Sequence, residues 1–151
     1  MKYAHTNIVS RDWKKLADFY SSVFDCKPVP PERNLTGEWL EKATGLKKPH
    51  LMGMHLRLPG FGDSGPTLEI FQYDEMLDKA AFPAANRIGL GHLAFEVEDV
   101  NQTVELLLKN GGNKLGEIVV QEINGVGVIT FTYATDPEGN ILEIQSWKYS
   151  K

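Results

Sequence analysis

Apolar and polar residues alternate with the period of a β-strand in two places, residues 5–9 and 90–97. In the second, Leu93, Phe95 and Val97 fall on one face while His92, Ala94 and Glu96 fall on the other. Each strand leads to an aspartate, Asp12 or Asp99, suited to accept the free backbone N–H groups at a helix start. An apolar stripe at helical spacing follows. It is Trp13, Leu16, Ala17, Tyr20, Val23 and Phe24 in one segment, and Val100, Val104, Leu107 and Leu108 in the other. Gly111-Gly112 ends the second helix, because glycine tolerates a left-handed cap. Three strands are predicted beyond it, roughly 114–122, 126–134 and 140–147, the last two joined by a type I turn at D-P-E-G. The first half shows strands at 51–58 and 67–73 around a Gly-rich turn at 60–65.

The two halves read as copies of one unit. His5 and His92 are 87 positions apart, and so are Asp12 and Asp99. Residues 65–70 and 139–144 both read G-x-x-L-E-I, which puts Glu69 and Glu143 74 positions apart. The first copy is thus longer by 87 − 74 = 13 residues. The irregular stretch 30–49 is the predicted place for that excess, with V-P-P-E-R-N as loop and G-E-W-L-E-K-A-T-G as a short extra helix. The expectation is an α+β chain of tandem βαβββ modules, 1–73 and 90–147, joined by a linker at 74–89.

Strand alternation gives this pattern chemical content. A helix covering one face of each sheet leaves the other free, and His5, Glu69, His92 and Glu143 all fall on the free faces. A charged Glu in a sheet centre is costly unless paired or coordinated, and two of them repel. One divalent cation held by all four answers both problems. Imidazole nitrogen with carboxylate oxygen suits Zn²⁺, Ni²⁺, Co²⁺, Mn²⁺ or Fe²⁺, and the lack of thiolate argues against a structural zinc knot. Asn7, Phe71, Tyr133 and Gln145 are candidates for the lining of the cleft. His50 and His55 have no partner in the other half and are read as surface residues or cleft lining. Cys26 is read as a small buried apolar residue, Trp39 and Trp147 as packing.

Composition narrows the partners. With 20 acidic and 16 basic residues, a net charge of −4 and no long basic run, the chain lacks the electrostatic footprint of a nucleic-acid binder. No stretch approaches the roughly 18 apolar residues of a membrane span. A single cysteine and an N-terminus without an apolar signal region fit a reducing cytoplasm.

H-T-N-I-V, D-x-x-x-x-x-x-F-Y, G-H-L-A-F-E-V and D-P-E-G-N-I-L-E-I, in this order, resemble the vicinal oxygen chelate superfamily over essentially the whole chain. That group includes glyoxalase I, methylmalonyl-CoA epimerase, extradiol dioxygenases and bleomycin or fosfomycin resistance proteins. The resemblance implies a curved mixed sheet, a small-molecule substrate and a homodimer. It also implies metal ligands at His5, Glu69, His92 and Glu143, a set similar to that of glyoxalase I. Val9 stands where glyoxalase I usually carries an Arg that helps bind glutathione, so glutathione is not implied. The first function to expect is a metal-dependent lyase or isomerase that stabilises an enediolate or enolate, with Glu143 as base and Glu69 as ligand and second proton carrier. A metal-free binding or antibiotic-resistance module and an Fe²⁺ extradiol-type dioxygenase are the alternatives.

Overall fold

The computed structural model of the protein describes residues 2–79 and 82–150. The chain divides into two compact units, Met1–Lys79 and Ala80–Lys151. Each is a mixed sheet with a helix on one face.

In the first unit β1 (His5–Val9) leads to α1 (Trp13–Phe24), then β2 (Lys27–Thr36), α2 (Glu38–Thr44), β3 (His50–Arg57) and β4 (Thr67–Tyr73). The sheet order is β1-β4-β3-β2, with β1 parallel to β4 and the other pairs antiparallel. Asp12 caps α1, its carboxylate accepting from the Lys15 N–H at 3.0 Å. The predicted stripe is buried, joined by Phe19, and α1 packs on β3 and β4 over Leu56, Leu68 and Ile70. Burial of these large apolar side chains is the main force holding helix to sheet.

The second unit repeats the plan. It consists of β5 (Leu93–Glu96), α3 (Val100–Lys109), β6 (Asn113–Lys114), β7 (Val119–Ile123), β8 (Gly127–Thr135) and β9 (Ile141–Tyr149). β5 lies parallel to β9, β9 antiparallel to β8, and both β6 and β7 pair with β8. Asp99 caps α3 through the Gln102 N–H at 3.0 Å, and Val100, Val104 and Leu107 face a sheet that buries Leu142 and Ile144. The D-P-E-G turn closes with Gly139 N–H donating to the Asp136 carbonyl at 3.0 Å. The buried Asp136 carboxylate also accepts from the N–H groups of Glu138 and Asn140 and from the Asn140 side chain.

Four features differ from the sequence expectation. V-P-P-E-R-N is strand, not loop: β2 runs through it, with its register broken between Val29 and Arg33. β2 is an edge strand, the place in a sheet where proline is tolerated, and Pro30 and Pro31 fall in its register break. The strand expected over 114–122 is split, because residues 115–118 bulge and the N–H groups of Leu115 and Gly116 both donate to the Tyr133 carbonyl. Leu108 is 41% exposed and lies off the buried stripe of α3. Trp39, expected to pack, is 57% exposed. The extra helix appears as α2, and between β4 and β5 the described residues form no helix or strand. Among the described residues no helix is long and apolar enough to cross a membrane.

Candidate functional site

On the face of the first sheet away from α1, three strands bring polar side chains together. Glu69 on β4 stands in register with Asn7 on β1 and with His55 on β3, between the buried Leu68 and Ile70 that point to the helix. His5 Nε2 lies 3.4 Å from Glu69 Oε2, and Asn7 Nδ2 donates weakly to the same oxygen at 3.4 Å. His55 Nε2 approaches the other oxygen, Oε1, at 3.0 Å, while its Nδ1 lies 3.3 Å from the Thr67 hydroxyl. Glu69 is 8% exposed, so these contacts replace much of its hydration. Burial lowers the His55 pKa, the neighbouring Glu69 charge opposes that shift, and Arg33 and His5 add to it. A neutral imidazole is the form this environment favours.

The second sheet carries the matching arrangement. Glu143 on β9 is in register with Ala94 on β5 and Tyr133 on β8. His92, one residue before β5, places Nε2 3.1 Å from Glu143 Oε2. The Tyr133 ring lies 5.2 Å from the His92 ring, and its side chain is hydrogen-bonded to Glu143. Burial, followed by the Glu143 charge, raises the Tyr133 pKa, so the phenol stays protonated and serves as the donor. Gln145 lies on the same face of β9 and accepts from Trp147 Nε1 at 3.0 Å.

The structure therefore places His5 beside Glu69 and His92 beside Glu143, at equivalent positions of two equivalent sheets. The sequence model of the Glyoxalase/Bleomycin resistance protein/Dioxygenase superfamily matches residues 2–144. The chain belongs to this superfamily. Solved members share its fold. A glyoxalase family protein from Bacillus cereus superposes with TM-score 0.81 at 20% identity, over 97% of this chain and 94% of that one. A glyoxalase family protein from Enterococcus faecalis gives 0.59 at 23%, over 96% and 95%. A glyoxylase/bleomycin resistance protein/dioxygenase domain from Frankia sp. gives 0.57 at 21%, over 98% of each. No curated protein matches the chain significantly.

In this glyoxalase-superfamily chain the donor chemistry fits a divalent cation. An imidazole nitrogen and a carboxylate oxygen within 3.1 to 3.4 Å need a proton or a metal between them. Both pairs use Nε2, and neither includes a thiolate. Among the described residues no group of three or more His, Cys, Asp or Glu is arranged to hold a metal. The first unit presents Glu69 between His5 and His55, and the second presents Glu143 beside His92.

The expectation that His55 has no partner in the other half is corrected: its counterpart is a tyrosine, which a comparison of residue types does not reveal. Register pairs His55 with Glu69 and Tyr133 with Glu143, so the two residues are positional equivalents. Their offset is 133 − 55 = 78, against 87 for the first strands and 74 for the Glu strands. Nine of the extra residues of the first unit thus precede β3, and four lie in the β3–β4 turn, rather than all within 30–49. His50 lies apart from the Glu69 cluster on another bond set, contacting Asp74 Oδ2 at 2.9 Å and Asn34 Oδ1 at 2.8 Å. Cys26 is buried, and its thiol is pushed up to about 12, first by desolvation and then by Asp25, which leaves it inert as a nucleophile.

Proposed function

We propose that the protein is a divalent-metal-dependent lyase or isomerase acting on a small molecule with two neighbouring oxygens. The metal is held by the pairs His5–Glu69 and His92–Glu143. The observation that carries this reading is the repetition of one His–Glu contact on equivalent strands of both units. A solvated surface pair has no reason to recur at the same place in two divergent copies. The metal, when bound, acts as a Lewis acid on the substrate oxygens.

The chain's own groups move the proton. Glu143 takes a proton from the substrate carbon beside the polarised oxygen and returns it to the neighbouring or the same carbon, so no oxidant or cosubstrate is consumed. The Tyr133 hydroxyl, hydrogen-bonded to Glu143, keeps that carboxylate oriented while it shuttles the proton. Glu69, more deeply buried and held by His55, serves as the steadier ligand and a second proton carrier. Phe71 on the first sheet and Phe131 and Trp147 on the second supply apolar surface for the substrate's carbon skeleton. The assembly state proposed with this reading is a homodimer.

The test is Glu143→Gln, assayed with 2-oxo thiol adducts and acyl-CoA epimers. Retained metal with activity reduced at least about 100-fold, in line with the loss of a general base, is the expected result. Full activity removes Glu143 from the base role. Oxygen uptake with a catechol would place the protein among the Fe²⁺ dioxygenases instead.

A further inference from the structure

The residue on the central strand opposite each glutamate is the least anticipated part of the site. In the first unit a chain of contacts runs from Thr67 Oγ1 to His55 Nδ1 at 3.3 Å and from His55 Nε2 to Glu69 Oε1 at 3.0 Å. The directions are set by chemistry. A carboxylate only accepts, so His55 Nε2 carries the proton, and Nδ1 then accepts from the Thr67 hydroxyl. Thr67 and Glu69 sit two residues apart on one face of β4, so a single strand fixes both ends of the chain.

The two imidazoles address different oxygens of Glu69, His55 taking Oε1 and His5 taking Oε2. We propose that His55 is a positioning residue that pins Glu69 through Oε1 in a fixed tautomer and leaves Oε2 and His5 for the metal, and that Tyr133 does the same for Glu143. This rests on the metal-dependent reading above for its function, though the hydrogen-bond chain itself does not. The physical need is clear. A glutamate has three side-chain torsions, and fixing them against a sheet face costs rotamer entropy that an ion would otherwise have to overcome on binding. A donor already in register across the strand meets that cost in the folded chain. Groups that orient ligands in this way typically change metal affinity by about 10- to 100-fold.

The first copy uses an imidazole and the second a phenol at the same place on the sheet. His55, held between the Thr67 hydroxyl and Glu69 Oε1, fixes Glu69 against the sheet. The Tyr133 hydroxyl meets Glu143 from the same register position, and its backbone carbonyl takes the N–H groups of Leu115 and Gly116.

Two measurements test the positioning role. In the metal-free protein, ¹H–¹⁵N correlation of the His55 ring should show the Nε2–H tautomer, shifting towards a tautomer mixture in Thr67→Val. A Nδ1–H tautomer overturns the proposal whatever the protein binds. Cobalt(II) or zinc(II) affinity by chelator competition should fall about 10- to 100-fold in His55→Leu, with the number of ions per chain unchanged. Recovery is expected in His55→Gln, whose amide can donate to Oε1. Unchanged affinity in His55→Leu, or loss of the ion in both His55 variants while Glu69→Gln keeps it, contradicts positioning. If the wild-type protein binds neither ion, the functional proposal fails and the tautomer experiment still decides the role of His55.

Discussion

Glu69 gives up most of its hydration in the fold and recovers part of it from His55 and Asn7. Tyr133 is the corresponding support for Glu143, and its removal is selective. Tyr133→Phe should keep the fold, since the ring remains, yet lower kcat about 10-fold or more with little change in KM. A purely packing role would leave kcat untouched. Cys26 offers a residue-scale test by pH. Its folded thiol titrates at about 12 against 9.0 for an ordinary one. Folding thus favours the protonated form, a contribution present in full below pH 9 and lost as pH rises from 9 to 12. Urea denaturation should show the wild type losing stability relative to Cys26→Ala across that window. A constant difference would mean that burial does not control the thiol. At this scale the sequence was readable where a residue type recurs, as with the two His and two Glu. It was silent where only the position recurs, because His55 and Tyr133 share a place on the sheet and a donor function but no chemistry that a comparison of letters detects.

The elements follow the hydrophobic pattern where periodicity is strong and depart from it where proline or a bulge intervenes. α1 and α3 form where their stripes predict, each begun by an aspartate cap. Asp99→Ala should cost about 0.5 to 2 kcal/mol by urea denaturation, with Asp99→Ser close to wild type. Equal losses in both variants would show that the cap is not the carboxylate's role. The end of α3 is constrained by contact: a Cβ on Gly112 would meet the Thr135 carbonyl oxygen at 2.7 Å and Leu107 Cδ2 at 2.5 Å. Gly112→Ala is expected to destabilise by about 1 to 3 kcal/mol in the same assay, as overpacking does, and an unchanged stability would show that Leu107 moves aside freely. β2 was hidden because three prolines read as loop, and only its place at the sheet edge makes them tolerable. The split between β6 and β7 was hidden because a bulge leaves no trace in an alternating pattern.

At the scale of the whole molecule, the duplication was the most legible property. Matching offsets of 87 and 74 came from letters alone, and the structure adds the intermediate offset of 78 that distributes the insertion. The two copies share one His–Glu contact and differ in the residue that supports it from the central strand. A homodimer predicts a solution mass twice the chain's 16.9 kDa by sedimentation equilibrium, and a value of 16.9 kDa would refute that assembly. The claim on which the functional account depends is that both pairs serve one ion. Elemental analysis of protein purified without chelator, for the wild type, His5→Ala and His92→Ala, addresses it most directly. The account predicts one divalent ion per wild-type chain and its loss from either variant. A metal-free wild type, or two ions of which each variant loses only one, would contradict it.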